Sequence, residues 1–384
     1  MVQNNIQIIF GLILGFFGLN WAETPFCGVI DRPLNFMRSA SPYVITGDVV
    51  ILPTGRLTIE SGVEIIIEPK DICSDKEQQN ENVDYFINQH DYNDSLFISF
   101  KVDGPFYING SPQNPVIIRP RDTTQHRVSW DGIRINTAEV LTAQIQYLQI
   151  SGANRAFQVK RSKFNISNSI FKRNNVGVYL SINGNVDLYN NIYTENFSSG
   201  IVIDNAAPNV FSSIFYKNYS YGIWSDKKAA ARIQFNNFWE NGEYDCYRCP
   251  WQIKKITKTN HLGDSVDIEN NLFIDPYFVG TESSKLLQFK DLELKTPASK
   301  VLDAHIMDLE STARSKSQNL GIATVDKFIP RGPSLKSPYL LSKYSPLTHA
   351  GPEGFYFFND DGTRSDIGIY GGNRDQVQKA FPFQ

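Results

Sequence analysis

Residues 166–180 read ISNSIFKRNNVGVYL, 188–203 LYNNIYTENFSSGIVI, 211–225 FSSIFYKNYSYGIWS and 234–244 QFNNFWENGEY. The four lines are variants of one phrase. The apolar residue after the Asn/Ser pair falls at Ile170, Ile192, Ile214 and Phe238, at spacings of 22, 22 and 24. One further step of 22 backwards reaches Leu148. A fixed period of this size marks a solenoid, because each unit buries its apolar face only by stacking on its neighbours. Within a unit, apolar and polar residues alternate, as at Val176, Val178 and Leu180, so the unit is built of strands. Strands and Gly or Asn corners at this spacing do not fit a leucine-rich coil, which needs its L-x-x-L-x-L phrase. The expectation is a stack of parallel rungs about 4.8 Å apart, in which equivalent residues form columns.

The stretch resembles the right-handed parallel β-helix of the pectin-lyase-like repeat proteins, and phrases on both sides extend the likeness. GDVVILPTGRLTIESGVEI (47–65) resembles the opening coil of exported members; VDGPFYINGSPQNPVII (102–118) and WDGIRI (130–135) resemble their early coils. NNLFIDPYF (270–278), SPLTHAG (345–351) and NDDGTRSDIGIYGG (359–372) resemble closing segments. Ala298-Ser299 and His305 depart from that closing pattern, and 305–340 reads as an insertion. The resemblance implies an all-β fold: a single right-handed parallel β-helix with an N-terminal capping coil and an irregular C-terminal segment. It divides the chain into a signal peptide (1–22), a β-helix (23–282) with loop insertions at 71–95 and 243–263, and a closing segment (283–384) packed on the helix end. It implies little about activity, because this scaffold hosts lyases, hydrolases, esterases, epimerases and inert adhesins alike.

Composition narrows the partners. With 384 residues, 41% hydrophobic and 20% charged, the chain can bury a long core. A formal net charge of -3 argues against nucleic acid as the partner. The uncharged apolar run 6–19 is short for a membrane span and ends near Ala22, so it reads as a secretory signal. The mature chain is then expected to be secreted or at the cell surface, monomeric and without a membrane span. Four cysteines in an exported chain favour disulfides, with Cys27 pairing Cys73 and Cys246 pairing Cys249. The CYRC motif (246–249) lacks the βαβ context of a redox site and a second ligand pair for zinc.

Columns convert spacing into candidate sites. Asn174, Asn196, Asn218 and, with a slip of one, Asn241 read as a corner ladder whose amides bond between rungs. Gly177, Gly200 and Gly222 mark the next corner, where the left-handed conformation is expected. Four residues beyond those glycines lie Ser181, Asp204 and Asp226, with Lys160 at the matching place one unit earlier. Carboxylates one rung apart repel, which raises a pKa or invites a cation, so Asp204, Asp226 and Lys160 are the candidate catalytic set. The plainer reading makes both acids turn residues, with Lys227 and Lys228 beside Asp226. Trp130, Tyr179 and Trp224 are the candidate sugar platforms. Asn359, Asp361 and Asp366 partly imitate a calcium loop, against a tight turn with Arg364 paired to an Asp. Calcium is the one cofactor in question. The N-T-D, G-H-G and R-I-K phrases of pectin hydrolases are absent, and Arg119-Pro120-Arg121 only echoes a pectate-lyase motif. The first reading is therefore an exported non-catalytic protein that binds a polysaccharide or cell-surface glycan, or serves as a structural or adhesive rod. The alternative is a carbohydrate-active enzyme, a polysaccharide lyase or glycoside hydrolase, with a groove site on the parallel sheet.

Overall fold

The computed structural model of the chain describes residues 23–68, 97–123, 128–136, 143–279, 339–353, 358–359 and 361–372. The signal-like run, the insertion at 71–95 and residues 305–338 lie outside these. A coil takes three strands, such as Val176–Ser181, Asn185–Tyr189 and Ile192–Thr194, before Ser199–Asp204 opens the next. Stacking produces a parallel solenoid of about 8 turns with three faces. The first face runs from Ser99–Val102 to Tyr244–Tyr247, the second from Pro33–Phe36 to Arg232–Gln234, and the third from Glu64–Ile67 to Asn237–Trp239. The strand Tyr43–Ile51 belongs to two faces: its start pairs with Glu64–Ile67 and its end with Ser99–Val102.

The core follows from the alternation. Val178, Ile201 and Ile223 point inward from the first face, Leu188, Val210 and Ile233 from the second, all essentially without exposure. From the third face come stacked rings: Phe171 on Tyr193, Tyr193 on Phe215 and Phe215 on Phe238, with centroids 4.9, 4.9 and 4.8 Å apart. These separations equal the rung spacing, so each ring meets its equivalent above and below.

The register corrects the reading of the repeat at both ends. Ile170 pairs with Ile192 and Ile192 with Ile214, but Ile214 pairs with Asn237; Phe238 belongs to the inward column beside it. One rung earlier, Gln149 pairs with Ile170, where the count of 22 gives Leu148. The reason is that this column faces outward. It mixes polar and apolar residues (Glu64, Ile117, Gln149 and Asn237 also belong to it), and Ile170, Ile192 and Ile214 are covered, in a second cluster, by Leu341, Leu347, Ile367 and Ile369 of the C-terminal part. That part lies along the flank of the stack: Gly368 donates its N–H to Ser212 O (2.8 Å), and Asn190 Nδ2 donates to Gly368 O (3.0 Å). Further along, Asn168 Nδ2 reaches Ile369 O at 3.0 Å.

The corners hold two corrections of cause. The expected Asn ladder forms, with Asn174 N–H and Asn196 N–H donating to the side-chain oxygens of Asn196 and Asn218, and Asn218 N–H to that of Asn241. The left-handed residues are the ones before them, Arg173, Glu195, Lys217 and Glu240, at φ of 53 to 55°. The amides are there to bond. Similarly, Gly177, Gly200 and Gly222 do not have positive φ; a Cβ on Gly200 would lie 2.7 Å from Gly222 O and 2.9 Å from the Phe215 ring. Close approach of backbone to the ring stack excludes a side chain there. A second ladder runs through the Asn/Ser pair itself, from Ser169 to Asn191, Ser213, Asn236 and Asn271. Its last member follows a short antiparallel hairpin, Ile256–Thr259 with Ser265–Asp267, and Phe273 then stacks on Phe238 at 5.6 Å.

Candidate ligand-binding face

The outer surface of the first face is the surface on which the sequence places its candidates. Lys160 pairs with Ser181 and Ser181 with Asp204, so the expected column exists. Asp226 continues it, donating its N–H to Ile203 O at 2.9 Å just past the strand Tyr221–Ser225. The acids, however, are occupied. Asp204 Oδ2 accepts the Tyr179 hydroxyl at 3.0 Å. Asp226 Oδ1 accepts the N–H of Asn205 (3.2 Å) and of Lys228 (3.1 Å), which makes it the cap of its turn. Burial first, and then the bond to Asp204, pushes the Tyr179 phenol above its ordinary pKa, so it stays a donor. Arg155, which sequence reasoning did not single out, lies 4.1 Å over the Tyr179 ring. Tyr179 is thus held on one side by a cation and at its tip by a carboxylate.

The three expected platforms separate. Trp130 is fully buried in the core, with its indole N–H donating to Ser151 O at 3.0 Å, and presents no outer surface. Trp130 and Ile133 lie three apart and are both buried, because the alternation breaks at Gly132 (φ 121°); the Trp130 ring then meets Phe100, with centroids 6.3 Å apart. Tyr179 and Trp224 do face outward, half-buried, in one column that runs Gln158, Tyr179, Val202, Trp224 and Tyr247. The adjacent column runs Val176, Ser199, Tyr221 and Tyr244. Both become aromatic in the last two rungs. There the rings of Tyr221, Tyr244 and Tyr247 lie mutually 5.3 to 6.3 Å apart. Tyr221 and Tyr244 are 23 residues apart in the sequence, near one repeat, and that interval is the signal that could have found them.

The strand Tyr244–Tyr247 completes the first face, although its residues fall in the segment expected to be a loop excursion. Cys246 on this strand is bonded to Cys249, with Cα atoms 5.7 Å apart. Cys27 is also disulfide-bonded, and its expected partner Cys73 lies outside the described residues. The turn holding Asn359, Asp361 and Asp366 uses its own polar atoms. Asn359 Oδ1 accepts the N–H of Gly372 (3.1 Å), Asp361 Oδ1 that of Thr363 (3.0 Å), and Asp366 Oδ1 that of His349 (2.7 Å). Arg364 meets Glu353 rather than an Asp. Among the described residues no group of three His, Cys, Asp or Glu is placed to hold a metal, and no helix is long and apolar enough to cross a membrane.

Residues 119–273 match the family described as "Right handed beta helix region". The matched rungs are a right-handed β-helix. No curated protein and no solved structure matches the chain. The family match takes in the Asn ladders and the aromatic end of the first face, and the β-helix architecture by itself assigns no chemistry to them.

Proposed function

We propose that the chain is an exported, non-catalytic β-helix that binds glycan through the outer surface of its first face. The observation that carries this reading is the state of its acids. Lyases and glycosidases need carboxylates turned to the substrate, either as a spaced acid/base pair or as ligands of a cation. Here Asp204 is held by Tyr179 and Asp226 by two backbone N–H groups, while the rings beside them remain half-open to solvent. Half-exposed Tyr and Trp rings suit a polyhydroxylated ligand, whose C–H face packs on the ring while its hydroxyls stay hydrated. The Cys246–Cys249 bond supports an oxidising compartment.

The test pairs a glycan array with reducing-sugar release on the disulfide-bonded protein. Binding without release is expected, and binding is expected to survive Asp204→Ala and Asp226→Ala. Release of sugar by the wild type, abolished by either substitution, would replace the proposal with the enzyme reading.

A further inference from the structure

The last rung of the first face and the turn after it bring exposed rings and cations together. Tyr244 is 54% exposed and Trp251 68% exposed. Arg248 lies over the Tyr247 ring at 5.1 Å and Lys255 over the Trp251 ring at 4.7 Å. A guanidinium held over a ring still has N–H groups for an incoming carboxylate or sulfate, which they match in a fork.

Charge points the same way. In a chain of net charge -3, residues 243–259 hold four cations (Arg248, Lys254, Lys255, Lys258) and two carboxylates (Glu243, Asp245). Lys254 is neutralised by Asp245 at 2.9 Å, and Glu243 accepts the Tyr221 hydroxyl at 2.8 Å. Arg248, Lys255 and Lys258 form no ion pair with a described carboxylate. The cations therefore face solvent beside exposed rings, and the disulfide between Cys246 and Cys249 holds the turn that carries Arg248 against the strand that carries Tyr244 and Tyr247.

From this juxtaposition we infer that the β-helix binds an anionic glycan at Tyr221, Tyr244, Tyr247, Arg248, Trp251 and Lys255. The rings take the apolar faces of successive sugars, and the two cations take their carboxylate or sulfate groups. This inference rests on the glycan-binding reading above and adds the charge of the ligand and its place at one end of the stack. Asp204 and Asp226 have no part in it. A binding site at the final rung also fits the two outward columns, which are both aromatic in the last two rungs, at Tyr221 with Trp224 and at Tyr244 with Tyr247, whereas earlier rungs carry at most the one ring of Tyr179.

The experiment measures affinity electrophoresis of the full disulfide-bonded chain in polygalacturonate, dextran sulfate and uncharged dextran, across a salt series. Retardation is expected in at least one of the two polyanions and not in dextran, and the arm that retards tells carboxylate from sulfate. Arg248→Ala with Lys255→Ala is expected to weaken that binding at least tenfold. Tyr244→Ala should weaken it several-fold, with melting temperature unchanged in both variants. Retardation by dextran alone sinks the inference and leaves glycan binding standing; no retardation by any glycan removes both. Binding lost in the charge variant but untouched by Tyr244→Ala means loose polyelectrolyte attraction, and also overturns the site.

Discussion

Asn196 shows how much one side chain carries in this stack. Its Oδ1 accepts from Asn174 N–H at 3.1 Å, and its Nδ2 donates to Phe171 O (3.1 Å) and Asn218 Oδ1 (2.8 Å), all without exposure to water. Asn196→Ala strands a buried donor and a buried acceptor, each costing about 1–3 kcal/mol. The expected loss is about 3 kcal/mol in urea unfolding, against a change within about 0.5 kcal/mol for the exposed Lys227→Ala. A loss as small as that of the control would show that the ladder does not hold the corner. Asp187, facing outward on the second face, behaves oppositely. Burial raises its pKa above 3.8, outweighing the bond from Asn209 and the pull of Lys163. Its folded pKa therefore exceeds its unfolded one. Its contribution to stability is fully present below the unfolded pKa and is lost as pH rises through the folded value. At neutral pH the charge is a cost, and an amide keeps the oxygen that accepts from Asn209 Nδ2 at 2.6 Å. Asp187→Asn is expected to melt above the wild type at pH 7 and level with it near pH 3; the reverse order would refute the assignment.

At the scale of elements, the C-terminal part is the one whose attachment is local. It covers the outward column of three rungs, and Leu347 and Ile367 are its fully buried contacts. Ile367→Ala removes packing worth about 2–4 kcal/mol at a filled site. Because the rungs close on their own neighbours, that loss falls on the docked segment first. Hydrogen exchange is expected to accelerate at Ile367 and Gly368, whose N–H groups donate to Leu347 O and Ser212 O, while Asn196 and Asn218 remain protected. Equal acceleration along the ladder would mean the segment and the stack unfold together.

For the molecule as a whole, the period made the solenoid legible, because a 22-residue return leaves strands no other way to bury their apolar side. The sequence also announced the Asn ladder and the column joining Lys160 to Asp204, since both depend only on register. What it hid was direction. Ile170, Ile192 and Ile214 look like core and are covered from outside, while the rings one residue later fill the interior. Trp130, expected as a surface platform, faces inward because the alternation of its strand breaks at Gly132. The aromatic end is hard to read because Tyr244 and Tyr247 fall in 243–263, where the repeat breaks off. Nor does a period say which carboxylates are taken by their own neighbours.

Phe273 and Asn271 resume the ring stack and the second ladder after the hairpin has left and come back. The coil is thus sealed by residues on the far side of a detour whose near part docks on the seal, Ile253 packing on the core and Lys254 N–H donating to Asp267 Oδ2 at 3.0 Å. Residues 260–264, the tip of the hairpin, amount to a cassette. They can be lengthened, shortened or rewritten between the two strands of the hairpin, so the surface chemistry at this end can diverge while the frame that displays it stays unchanged.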